Sequence, residues 1–319
     1  MIKHTLDYDA NAPCGESFGY SDHDSVLKPA PATHHVDFTI LDVLQTTKAV
    51  RVPKVLRYFE KIRTTVMTDF QAEGFHLMQD LVVTGALPMS SAENVAKSLV
   101  ALMDQFRRMS HLIRVAESST LQARERLEEL YTFLRSDLKT YQEIERKFLS
   151  GDSIVPTDAH PKNMAINAQG EILMFDFGRS IVADKQYSAP NFAAHIGLAS
   201  VANCFEDPLF GAEYIATFVS AYNRFSSPDD QIEEATFVRY FMSELLHRGL
   251  SGRWLDKRFF SHATLQEVER AVHDLAIETF RPDEGGALAT LGDLLNVLTD
   301  VSRAVGIKSY KGRRKTTQG

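Results

Sequence analysis

The sequence predicts an α+β fold with two unequal lobes: a small β-containing N-lobe and a larger, mostly helical C-lobe. Three observations carry that expectation. Runs rich in β-branched and aromatic residues gather before residue 74. Amphipathic helical stripes dominate from there to about residue 306. The strand-like pieces inside that second part are short and lie between Ile154 and Phe175, with no spacing suited to parallel βαβ crossovers. The expected division is a first lobe over 1–74, a helical lobe over 75–306 and a basic, disordered tail over 307–319.

Taken in order, Ser25-Val26-Leu27-Lys28 reads as a short strand stopped by Pro29 and Pro31. DFTILDVL, Asp37 to Leu44, sets Phe38, Leu41 and Leu44 at helical spacing, with Asp37 suited to the N-cap. Val55–Phe59 and Thr64–Phe70 read as two strands turning at Glu60-Lys61, and Gln71-Ala72-Glu73-Gly74 as a linker. Val95, Leu99, Leu102, Met103, Phe106 and Met109 form one apolar helical stripe, preceded by Ser90 and Ser91. Leu127, Leu130, Leu134, Leu138, Tyr141, Ile144 and Phe148 form a longer one, ending at Gly151. Past Pro190 the candidate helices are Asn191–Phe205, Leu209–Tyr222, Ile232–His247, Leu265–Phe280 and Ala287–Val305.

Bulk properties bound the function. The 319 residues are 44% hydrophobic, ample for a sizeable core, and the formal charge of -7 argues against a nucleic-acid binder or an anionic membrane surface as partner. Two cysteines, Cys14 and Cys204, make neither a disulfide framework nor a zinc pattern. The N-terminus has no apolar core of signal-peptide length. The most apolar long run, Phe192–Phe205, is too short to span a bilayer and reads as a buried helix in which His195 is a core histidine. A cytoplasmic protein is the expectation.

The chemistry concentrates in VPTDAHPKNMAINAQGEILMFDFGRS, Val155 to Ser180. Met164–Ile166 and Glu171–Phe175 flank Asn167-Ala168-Gln169-Gly170 and read as a β-hairpin with a Gly-containing turn. A hairpin brings its ends together, so Asn163 and Asp176 should lie side by side. An amide oxygen and a carboxylate held rigidly make a hard-oxygen site of the kind Mg²⁺ uses, since that ion takes few protein ligands and keeps water and phosphate. Asp158, on the preceding loop, is placed to accept a proton from a hydroxyl attacking a phosphoryl group.

Asp-x-x-x-x-Asn followed by Asp-Phe-Gly resembles the catalytic and metal loops of the protein-kinase-like fold. The form here, Asp-x-His-Pro-x-Asn, is similar to that of the aminoglycoside phosphotransferase and choline kinase family, which phosphorylates small molecules. The resemblance implies ATP and Mg²⁺ as cofactors, Asp158 as catalytic base, and Asn163 and Asp176 as metal ligands. The family usually has His-Gly before the catalytic Asp, where this chain has Pro156-Thr157. Proline cannot donate a hydrogen bond, so another group has to brace the metal loop.

By the same resemblance, Lys28 takes the phosphate-neutralising lysine's place, and Asp37, with Asp42 as the alternative, that of its acidic partner. Gly15 and Gly19 are the glycines available for a phosphate-covering loop. Met67 falls at the gatekeeper position, and the backbone of Thr68, Asp69 and Phe70 at the adenine hinge. Beyond the hairpin, SELLHRGLSGRW carries Arg248 and Arg253 as candidate substrate residues. The expectation is a kinase acting on a small hydroxyl compound; a protein kinase and a non-catalytic binding protein on the same fold stay open. Ser188-Ala189-Pro190-Asn191 lacks the acid that would end a protein kinase's activation segment as Ala-Pro-Glu.

Overall fold

The computed structural model describes residues 18–22, 25–28, 34–59, 64–110, 145–202, 204–251, 262–280 and 290–313. It is α+β, as the sequence predicts. The second apolar stripe lies outside these residues except for its end, where residues 145–149 are helical. Gly15, Cys14 and Arg253 also lie outside them.

Strands β1 (Phe18–Asp22), β2 (Ser25–Lys28), β3 (Val55–Phe59) and β4 (Thr64–Thr68) form one antiparallel sheet in the order β1-β2-β4-β3. Helix α1 (His34–Thr47) packs on β3 and β4. It begins three residues before Asp37, so Asp37 sits inside its first turns and not at the N-cap. Ile40, Leu41 and Leu44 are its buried face and share a core with Met67 of β4; the i, i+4 spacing of Ile40 and Leu44 gives that stripe.

Residues 69–75 lead out of this sheet into β5 (His76–Leu77) and α2 (Met78–Val83). Helix α3 (Ser91–Met109) follows, its buried Val95, Leu99, Leu102, Met103 and Phe106 matching the sequence stripe. Ser90 is the N-cap residue but makes no side-chain cap; Ser91 instead donates through Oγ to the Pro88 carbonyl at 2.6 Å.

Two short ladders then frame the middle of the chain. β6 (Ser153–Pro156) pairs with β9 (Ser180–Ala183), and β7 (Met164–Ile166) pairs with β8 (Ile172–Met174) and with β5. The β7–β8 turn contains Gly170 at φ +79°, a left-handed conformation that glycine adopts without a Cβ penalty. After β9 come α4 (Ser188–Val201), α5 (Phe210–Phe225), α6 (Glu234–Ser251), α7 (His262–Phe280) and α8 (Leu291–Arg313). Every residue of α4 is buried, and α5, α6, α7 and α8 all pack against it. α8 runs past Val305 to Arg313, so the first part of the basic tail is helical backbone. Among the described residues no helix is long and apolar enough to cross a membrane.

Candidate active site

The two ladders create the site. In the β6–β9 pair Pro156 stands opposite Ser180, so the loop leaving β6 and the loop entering β9 emerge at the same end. In the β7–β8 pair Met164 stands opposite Met174, and the Phe175 N–H donates to the Asn163 carbonyl at 3.1 Å. Asn163 and Asp176 are thereby held next to each other, as the hairpin spacing predicts. Asp158 lies on the loop between β6 and β7, and Pro161–Asn163 make a single 3₁₀ turn before β7.

Asp176 has φ +65°, left-handed for a residue that carries a Cβ. Such a conformation costs about 1 kcal/mol or more and persists where the surroundings fix it. The flanking aromatics do so. Phe175 stacks on Phe70 (centroids 5.2 Å apart) beside the small cluster of Phe75, Ala165 and Leu173. Phe177 is buried in the main core, edge-on to Phe106 of α3 at 5.9 Å. Reversing the backbone at Asp176 is what lets its two neighbours enter different cores.

Asn163 donates through Nδ2 to the Asp158 carbonyl at 3.0 Å. That bond spends the amide nitrogen inside the protein and leaves the amide oxygen as the group to meet a ligand, at the hairpin end where Asp176 also lies. An oxygen pair of this kind fits Mg²⁺, which needs few protein ligands.

The group that ties the Asp158 loop to the Asp176 loop is Thr157. Its Oγ1 donates to the Arg179 carbonyl at 2.5 Å, tying the loop before Asp158 to the one after Asp176. The Thr157 carbonyl in turn accepts from Asn191 Nδ2 of α4 at 2.8 Å. Asn191 belongs to the Ser-Ala-Pro-Asn stretch, and here it buttresses the loop that carries Asp158.

Charge gathers on Asp158, whose side chain is 10% exposed. Arg179 Nη1 lies 3.3 Å from its Oδ2, and Arg248 Nη2 lies 3.5 Å from its Oδ1. Arg248 is held from behind: its Nε donates to Glu244 Oε2 at 3.1 Å, and the fully buried Glu244 also accepts from the Tyr187 hydroxyl. His160 Nε2 is 4.0 Å from Asp158 Oδ1. Burial pushes the His160 pKa down to about 3, with the Arg248 cation acting in the same direction and Asp158 and Asp176 opposing it. The imidazole is neutral at neutral pH, and its ring lies 4.5 Å from that of His195, the buried histidine of α4.

Arg248 is thus brought to Asp158. Met67 is buried in β4, opposite Val26 and Val55. Thr68 closes the strand, its N–H donating to the Lys54 carbonyl at 2.8 Å. Asp69 accepts from the Gln71 N–H at 2.9 Å, and Phe70 reaches the hairpin through Phe175. Asp42 is exposed on α1. The backbone puts Lys28 at the end of β2 opposite Thr65, Asp37 in α1 and Gly19 in β1. Sequence reasoning missed Arg179, Glu244 and His160. Glu244 and Arg248 are an i, i+4 Glu–Arg pair, a legible signal on a helix; nothing local marks Arg179 as a partner of Asp158.

No protein-family model matches the chain, and no curated protein matches it. Solved structures do resemble it. A choline kinase from Streptococcus pneumoniae aligns at 10% identity over 89% of this chain and 86% of its own, with a TM-score of 0.43. A choline/ethanolamine kinase family protein from Mesorhizobium loti aligns at 13% over 87% of each chain, with a TM-score of 0.42. A spectinomycin phosphotransferase, in complex with ADP and spectinomycin, aligns at 12% over 81% and 87%, with a TM-score of 0.47. These are the families that the Asp158–Asp176 motif resembles. At such identities and TM-scores the chemistry has to be argued from this chain's own residues.

Proposed function

We propose that the protein is a Mg-ATP-dependent phosphotransferase acting on a hydroxyl group of a small molecule. The observation that carries this reading is the meeting of Asp158, Asn163 and Asp176 on loops fixed by two antiparallel ladders. Asn163 Oδ1 and the Asp176 carboxylate would hold Mg²⁺. Bound there, the ion supplies charge neutralisation on the nucleotide phosphates. Asp158 orients the acceptor hydroxyl and takes its proton as the oxygen–phosphorus bond forms. The bond from the γ-phosphorus to the β,γ-bridging oxygen breaks, ADP leaves, and the proton passes from Asp158 to solvent.

In this reading Lys28, supported by Asp37, meets the phosphates, and Gly15 and Gly19, the latter in β1, belong to the segment that covers them. Adenine lies against the backbone of Thr68, Asp69 and Phe70, with Met67 as the apolar wall behind it. The rate then comes from positioning and electrostatics.

The test is transfer of phosphate from Mg-ATP to a pool of small hydroxyl compounds, read as a mass gain of one phosphate. Asp158→Asn is expected to lower turnover by about 10³-fold while nucleotide binding persists. Absence of any ATP binding by the wild type would overturn the reading. A second reading, a nucleotide-binding protein without turnover, is favoured by one observation: both Asp158 oxygens face arginine partners. ATP binding without transfer to any small molecule or peptide would select it.

A further inference from the structure

We infer that the acceptor is an anionic small molecule, a hydroxyl compound carrying a phosphate or carboxylate group, and that Arg248 and Arg179 recognise that group. The inference rests on the phosphotransferase reading and adds to it the charge of the substrate.

Its basis is the setting of Asp158. Whatever hydroxyl approaches this carboxylate also approaches two guanidinium groups, 3.3 and 3.5 Å from its oxygens. Neither is sealed in: the Arg179 side chain is 26% exposed and that of Arg248 15%. A substituent a few bonds from the reacting hydroxyl therefore lies beside them. A planar guanidinium matches a phosphate or carboxylate with paired charge-assisted hydrogen bonds.

A cationic substituent meets the opposite situation. Asp158 and Glu244 are both ion-paired with Arg248. Glu244 is fully buried and also accepts from Tyr187, so it cannot turn toward a ligand without abandoning two partners. Two guanidinium groups beside the reacting position thus favour an anionic substituent over a cationic one.

Arg248 is also built into place. The Tyr187–Glu244 pair fixes its Nε, so the terminal nitrogens of the fork point from a buried anchor toward Asp158. Glu244 is a positioning residue in this arrangement, acting on the acceptor only through Arg248.

The experiment offers the full-length protein, with Mg-ATP, three separate acceptor pools. One holds sugar phosphates and hydroxy acids, one uncharged sugars and polyols, one amino alcohols and amino sugars. Products are read by mass, and thermal shifts with each pool are read in parallel. The expected result is phosphorylation confined to the anionic pool, its phosphate and carboxylate members tested singly to tell which anion is recognised. Arg248→Ala is expected to raise the KM for the acceptor about 100-fold with a smaller change in kcat. Arg248→Lys keeps the charge without the fork and guards against a folding failure; it should fall between. Glu244→Gln should raise the acceptor KM in the same direction, whereas a merely structural role would leave KM unmoved and lower only stability. Phosphorylation of a neutral or cationic acceptor alone would overturn the inference and leave the kinase intact. If no pool is phosphorylated, a thermal shift by the anionic pool that Arg248→Ala abolishes would keep the anion site and remove the kinase reading. No shift from that pool would overturn the anion site itself.

Discussion

Thr157 is the residue whose role changes most between sequence and structure. Proline in the preceding position removes a donor, and the hydroxyl one residue later supplies it, to the Arg179 carbonyl on the other loop. Thr157→Val keeps the shape and leaves that carbonyl without its partner. It is expected to cost about 1–3 kcal/mol in urea unfolding, and Thr157→Ser to cost less. His160 gives a second expectation, in pH. Its pKa is 6.5 in a model peptide and about 3 when folded. Between those values the unfolded chain binds a proton that the folded chain does not, so stability must fall as pH falls from about 6.5 towards 3. The slope from this group is at most about 1.4 kcal/mol per pH unit. Unfolding midpoints in metal-free buffer should fall more steeply for the wild type than for His160→Gln; parallel profiles would show that the buried imidazole is not the cause. None of these roles is written locally. Thr157 and Arg179 are 22 positions apart and Asp158 and Arg248 are 90 apart, and only the folded ladders bring them together.

At the scale of elements, the β7–β8 hairpin was the most legible part of the chain. Its apolar pieces, the Gly170 turn and the polar residues at its ends can all be read from composition and spacing. The strands β3 and β4 were legible from their β-branched and aromatic residues, β2 from the prolines that stop it, and α3 from its apolar stripe. The pairing of β6 with β9 was not, because four residues on each side carry no period long enough to name a partner. That pair depends on a close approach at Gly151. A Cβ there would lie 2.0 Å from the Ala183 backbone carbon, so Gly151→Ala has to push β6 and β9 apart. A loss of about 1–3 kcal/mol is expected, and under the proposed function phosphoryl transfer should fall too, since the loops carrying Asp158 and Asp176 hang from this ladder. Unchanged unfolding would mean that the strands close without that contact.

Across the whole molecule, the N-terminal sheet and the helical body share a core, and a seam at Arg51 and Phe70 adds to it. Arg51 lies over the Phe75 ring at 4.9 Å and pairs with Glu171 at 2.8 Å, while its carbonyl accepts from the Met174 N–H at 3.0 Å. Phe70 adds its stack on Phe175. The Arg51 ion pairs are exposed, at 45% and 51%, and pairs of this kind contribute little. Apolar contact should therefore dominate: Phe70→Ala is expected to lower the unfolding midpoint more than Arg51→Ala, and the reverse order would mark the seam as electrostatic. The seam could not be read in the sequence, because nothing near Arg51 or near Phe70, the last residue of the predicted strand Thr64–Phe70, names the hairpin as its partner.

Helix α4 carries a consequence for how this protein tolerates change. A helix with one wet face accepts substitutions in a repeating rhythm, every third or fourth position forbidden and the rest permissive. All 14 residues of α4 are buried, and its first turn holds the Asp158 loop through Asn191. In a saturation survey of single substitutions α4 should therefore stand out as an unbroken block of intolerance from Ser188 to Val201, while α7, with solvent on one side, shows the ordinary rhythm. Variation that retunes the acceptor without unfolding the protein has to enter through the loops and helices around α4, because α4 itself has no neutral position from which to begin.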